Sequence, residues 1–235
     1  MSVSSQQQPV TKPGNCIVRA AIQALKCYGK AELKEEDLER DLCIETYTGS
    51  TQFPCLAKWL HQQKIPFKWL VPKEIHKCWL SPGFGDELAA TYLDFGLHDR
   101  PLLQMLVKQA KAVGQCTPYC HEHKLFRVGN CTLSQLRQHL QETKSRDGSP
   151  YGGIAILSVN AKNLEDFIHN KPLLPAYIAS KGHALVVTGI TDETVNQKDA
   201  YVTTAENKPF DRIPLHVFEY AWLDPWGKDG EAILI

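Results

Sequence analysis

Apolar residues recur in two different rhythms along this chain. In the front half they follow helical spacing: CIVRAAIQALKCYG carries Ile17, Ala20, Ala21, Ala24 and Leu25 on one face and stops at Gly29, which predicts an amphipathic, largely buried helix. A second helix is expected over 34–43 with its charges outward. A third is expected in PCLAKWLHQQ, where Leu56, Trp59 and Leu60 keep the same period. IPFKWLV at 65–71 reads as a short strand, and 87–112 holds further helical pattern interrupted near Gly96 and Pro101.

The back half changes character. IAILSV (154–159), HALVVTGI (183–190), AYVTTA (200–205) and EAILI (231–235) are β-branched runs bounded by turn residues, the mark of strands in one sheet. Between them, LSQLRQHLQETK (133–144) predicts a surface helix. IPLHVFEYAW (213–222) predicts a short helix that turns Leu215, Phe218 and Trp222 inward. Helices first and an antiparallel sheet later is the α+β layout, and 235 residues suffice for one two-lobed domain over 1–235: a flexible 1–14, a mainly helical lobe over 15–150 and a mainly β lobe over 151–235.

Composition narrows the function classes. The 26 basic and 26 acidic residues cancel, so no global field draws the chain to nucleic acid or to an anionic membrane. Neither a signal-peptide core nor an apolar run long enough for a membrane span is evident, so a cytoplasmic protein is expected, or one delivered to a host cell by a specialised secretion system. The eight cysteines are expected as reduced thiols, because a chain of this size needs no staples. Trp59, Trp69, Trp79, Trp222 and Trp226 lack the basic interleaving of single-stranded nucleic-acid binders and are expected in the core. Phosphate-cradling glycine loops and dinucleotide fingerprints are missing, and no cofactor is expected.

Candidate chemistry sits where KPGNCIVRAAIQAL places Pro13 and Gly14 in a turn, Asn15 as N-cap and Cys16 in the first turn of an apolar helix. A thiol there feels the positive end of the helix dipole and unpaired backbone amides, which favour the reactive thiolate and can hold an oxyanion. A small N-terminal core residue is the plain alternative. His183, following Gly182 at the start of an apolar strand, adds a titratable ring, and nucleophile and base on separate elements are what thiol hydrolases require.

The order of turn-Cys-helix, a late GHALVVTGI strand, AYVTTA, IPLHVFEYAW and a terminal EAILI strand resembles the bacteriocin-processing-type peptidases of the papain-like clan. The resemblance implies a papain-like α+β fold, with the nucleophile on a helix N-terminus packed against a C-terminal antiparallel sheet. It further implies a cysteine hydrolase, a thiol protease or isopeptidase/amidase, working through Cys16, His183 and an acyl-enzyme on a protein or peptide substrate. A catalytically inactive papain-like binding module, or an acyltransferase or transglutaminase-type enzyme using the same pair, is the alternative reading. This chain departs from the family at several points. The usual Cys-Gly pair reads Cys16-Ile17, the oxyanion-hole Gln position is Val10 with Gln8 the nearest glutamine, and the third residue falls near Thr204, which lacks a carboxylate. Asn207 or Glu206 could orient the imidazole instead, Asn207 ranking first. Asp224 in DPWGKDGEAILI, similar to papain's Asn-Ser-Trp-Gly, is the rival.

One other cluster has chemistry of its own. CTPYCHEH, with Cys116, Cys120, His121 and His123 and with Cys131 close behind, has the residue types of a tetrahedral zinc site but not a standard finger spacing. The expectation is a loop without metal, the alternatives being zinc or a redox-sensitive Cys116–Cys120 pair on an exposed loop.

Overall fold

Strands buried on both faces organise the molecule. In the computed structural model, which describes residues 16–27, 34, 37–38, 42, 53–73, 76–77, 80–81, 83, 86–87, 89–91, 101–142, 153–169, 182–191, 200–205, 211–222 and 230–235, β3 (Ala155–Asn160) and β4 (Gly182–Ile190) pair antiparallel from Ala155–Val187 to Asn160–Gly182. Ile156 and Ala184 with Val186 point into one core, while Ala155, Leu157, Leu185 and Val187 point into another. Alternating side chains thus feed two apolar layers, and near-continuous apolar runs such as AILSV and ALVV are what a doubly covered strand requires.

The first core is covered by α1 (Cys16–Cys27), which lies on β3 and β4, and by α2 (Phe53–Gln62). Ile17, Val18, Ala20, Ala21, Ala24 and Leu25 of α1 are buried there, the face expected from the sequence. The second core is covered by α4 (Leu133–Glu142) and α6 (Leu215–Trp222), the latter burying Val217, Phe218, Ala221 and Trp222. Between them in sequence, α5 (Ala161–Ile168) follows β3 directly and packs on α6. A reciprocal cap, in which the Thr132 amide donates to Gln135 Oε1 and the Gln135 amide to Thr132 Oγ1, opens α4.

Seven strands form the sheet in the order β2-β1-β7-β3-β4-β5-β6, with β1 Lys68–Val71, β2 Phe126–Val128, β5 Tyr201–Thr204, β6 Arg212–Pro214 and β7 Ala232–Leu234. The mixed α and β composition agrees with the expected class, but two details differ. The sheet is mixed rather than wholly antiparallel, since β1 and β2 run parallel through the crossover helix α3 (Pro101–Glu122). Nor is it confined to the back half: β7 inserts between β1 and β3, joining strands from both halves of the chain. The expected helix at 34–43 is described only at four positions, where Leu38 N donates to Lys34 O and Leu42 N to Leu38 O. The expected pattern over 87–112 is in part α3, which begins at Pro101 and continues to Glu122. No described helix is long and apolar enough to cross a membrane. Trp59, Trp69 and Trp222 are buried, as expected, while Trp79 and Trp226 lie outside the described residues.

Candidate functional site

Cys16 is the first residue of α1 and half-buried against the first core. Because α1 lies on β3 and β4, its N-terminal residue and the strand that opens with Gly182 and His183 belong to adjoining elements. His183 is half-buried and sits opposite Val159 in the β3–β4 ladder. Strand alternation puts it in phase with Leu185 and Val187, whereas Ala184 and Val186 share the α1 core. An approach of its ring to Cys16 therefore runs around the start of β4 rather than across the face that α1 covers.

The third-residue candidates divide by position. Thr204 is buried opposite Val187. That is four residues along β4 from His183, about 14 Å at ~3.4 Å per residue, so Thr204 does not stand beside the imidazole. The Ala205 amide donates to Val186 O, so the ladder advances toward His183 past the end of β5. Glu206, Asn207 and Asp224 lie outside the described residues, as do Gln8, Asn15 and the expected flexible stretch 1–14.

One polar group near this end of the sheet went unnoticed in the sequence. Asn160 is 9% exposed, ends β3 opposite Gly182, and shares the strand phase of Ile156 on the α1 side. Its only sequence signal is a polar residue closing an apolar run immediately before a helix. Two carboxylates are buried elsewhere among the described residues: Asp166 on α5, and Glu231 beside β7, which accepts a hydrogen bond from Trp69 Nε1 at 2.9 Å.

The cysteine and histidine cluster takes a form the sequence did not suggest. CTPYCHE is the C-terminal part of α3, not a loop, and the helix continues through Pro118 although Pro118 cannot donate to Gly114. Cys116, Thr117 and Cys120 are buried on the side packed against α2. The Cys120 thiol donates to Pro54 O at 3.4 Å and the Cys55 thiol donates to Ala112 O at 3.7 Å, one turn before Cys116, with the Cys55 and Cys116 side chains within interaction reach of each other.

His121 Nε2 instead donates to Leu80 O at 2.6 Å, while the His123 ring packs on Tyr119 and His61 with centroids 4.2 and 4.9 Å away. Cys131 is buried in the second core. The helix thus sends the zinc-type residues to different neighbours, and no three His, Cys, Asp or Glu side chains converge as metal ligands among the described residues.

Environment separates the thiols further. The hydrogen bond from Cys55, helped by the Lys58 ammonium, holds Cys116 below the ordinary thiol range despite its burial. Burial pushes Cys120 up to about 12, with the Cys116 sulfur acting in the same direction, and burial also raises Cys27. All six described cysteines are thiols; Cys43 and Cys78 lie outside the described residues. Comparison of the chain with protein-family models, with curated proteins and with solved structures gives no match.

Proposed function

We propose that the chain is a papain-like cysteine hydrolase in which Cys16 is the nucleophile and His183 its base, acting on a peptide, isopeptide or related amide bond. The observation that carries this reading is the packing of α1, whose first residue is Cys16, on the strand whose second residue is His183. A helix N-terminus favours a thiolate and offers backbone amides to an oxyanion, and a strand-start imidazole on an adjoining element can take the thiol proton. Thiolate attack on the carbonyl gives a tetrahedral oxyanion, imidazolium protonates the departing amine, and water then releases the acyl group. The buried amide of Asn160, at the same end of the sheet, is a polar neighbour for this chemistry.

The test needs no substrate. Cys16 alkylation by iodoacetamide is followed by peptide mass spectrometry as a function of pH in the wild type and in His183→Ala. The reading expects Cys16 to react well below the ordinary thiol midpoint of ~8.5, and His183→Ala to move the profile toward that value. An ordinary profile that ignores His183→Ala refutes the pair. Lysate proteomics with active and Cys16→Ala protein then separates a hydrolase from an inactive binding module: only the former yields new peptide termini that disappear, to below about a hundredth, in the variant.

A further inference from the structure

Three thiols from two helices meet in the first core, and their geometry selects one pair. Cys116 and Cys120 are four apart on α3, which sets their Cβ atoms roughly 5–6 Å apart, whereas a disulfide needs ~3.5–4.5 Å. They cannot bridge while the helix stands. A partner for either sulfur must come from the facing helix, and α2 supplies Cys55 in its first turn. Cys55 donates its thiol proton to Ala112 O at 3.7 Å, one turn before Cys116, which brings its sulfur beside the Cys116 side chain where α2 packs on α3. Cys120 is committed differently, donating to Pro54 O from a site with no exposed surface. Cys116 keeps 6% of its surface exposed, with the half-buried Lys58 ammonium acting on its sulfur.

We propose that Cys55 and Cys116 are an oxidation-sensitive pair whose disulfide ties α2 to α3. The oxidant is hydrogen peroxide. The Cys116 thiolate attacks one peroxide oxygen, the O–O bond breaks, and the departing hydroxide takes up a proton to leave as water, giving Cys116 sulfenic acid. The Cys55 sulfur then attacks Cys116 Sγ, the S–S bond forms, the S–O bond breaks, and a second water leaves with the Cys55 proton. Two thiols lose two electrons and the peroxide gains them. A dithiol reductant reverses the linkage. The pair lies on α2 and α3, so it operates whether or not Cys16 is catalytic.

The experiment uses full-length Cys16→Ala protein, which removes the other candidate thiolate. The protein is treated with hydrogen peroxide, quenched with iodoacetamide and mapped by non-reducing peptide mass spectrometry. A Cys55–Cys116 linked peptide is expected, absent after dithiothreitol and still formed in Cys120→Ser. In Cys55→Ser, Cys116 should instead advance to sulfinic acid. A Cys116–Cys120 peptide, oxidation of Cys116 without linkage to Cys55, or full retention of both thiols overturns the proposal. The mapping in the Cys16→Ala protein decides alone should either serine variant fail to fold.

Discussion

Two glycines, Gly189 within β4 and Gly230 just ahead of β7, should respond to the same substitution with opposite sign. A Cβ placed on Gly230 would stand 2.6 Å from Cδ1 and Nε1 of Trp222 and 2.7 Å from its carbonyl oxygen, 0.8 Å short of the 3.4 Å at which ordinary contact begins. The ring is 2% exposed and stacked near Phe218, with centroids 5.3 Å apart, and a backbone oxygen cannot rotate away. Overpacking costs about 1–3 kcal/mol, and with a fixed backbone oxygen among the contacts the cost here falls in the upper part, about 2–3 kcal/mol; the stiffer unfolded chain returns about 0.4–1 kcal/mol, leaving Gly230→Ala destabilised by roughly 1–2.6 kcal/mol. A chain of this size loses ~2–4 °C of Tm per kcal/mol, so the melting midpoint should fall by roughly 2–10 °C. At Gly189 the nearest atom is Thr203 Cβ at 3.8 Å, and φ is outside the left-handed region. Gly189→Ala keeps only the unfolded-state gain, about 0.4–1 kcal/mol, and should melt higher than wild type. Urea denaturation and calorimetry of both variants give the two signs. A Gly230→Ala protein at least as stable as wild type, or two shifts in the same direction, refutes the close approach of Gly230 to Trp222.

The buried pair of Trp69 and Glu231 should behave as a hydrogen bond rather than as packing: Glu231→Ala strands a buried indole N–H and should cost about 1–3 kcal/mol, whereas Glu231→Gln keeps an acceptor and should cost less. Equal urea midpoints for the two variants would count against it. Cys120, raised from 9.0 to about 12 chiefly by burial, keeps in the folded state a proton that the unfolded chain releases from about pH 9 upward. Its contribution is therefore complete below pH 9 and lost as pH climbs toward about 12. The stability gap between wild type and Cys120→Ala should narrow from pH 8 to pH 10.5, and a constant gap would remove burial as the cause.

The strands and helices with a strong period were legible in the sequence, and the reasons the others were not are local. The helical faces of α1 and α2 and the runs of β3, β4 and β7 emerge within one or two residues of where hydrophobic spacing puts them. β2 and β6 are three residues each with partly exposed side chains, too short for a period-2 signal, and they exist because β1 and β5 offer them partners. The end of α3 was hidden by its own chemistry. Pro118 reads as a break, and the residue that closes the helix, Lys124 at φ 52°, is not the glycine that usually marks such a stop. Lys64 closes the turn after α2 in the same way at φ 56°. The mixed sheet followed from pairings between distant segments, which no local window records. The unbroken apolar runs of β3 and β4 match its two covered faces, a pattern of three layers rather than of a sheet with one wet side.

Reading the site was harder, because chemistry depends on which residues meet and sequence proximity is a poor guide to meeting. Cys116, Cys120, His121 and His123 are neighbours in the chain, yet a helix turns successive residues by about 100°, and four ligands within eight residues fan out around its axis. Cys55, far away in the sequence, reaches the same spot because α2 packs on α3. The same logic governs Cys16 and His183, whose elements adjoin although the residues are remote in the chain. Their strand phase makes the separation around the start of β4 the quantity on which the proposed chemistry turns. A thiolate–imidazolium pair needs the two heavy atoms within hydrogen-bond reach, ~2.6–3.2 Å for nitrogen and oxygen groups and somewhat longer for sulfur. The His183→Ala shift in Cys16 reactivity reads that reach directly, since an imidazole out of contact leaves the helix N-terminus alone to set the thiol's acidity.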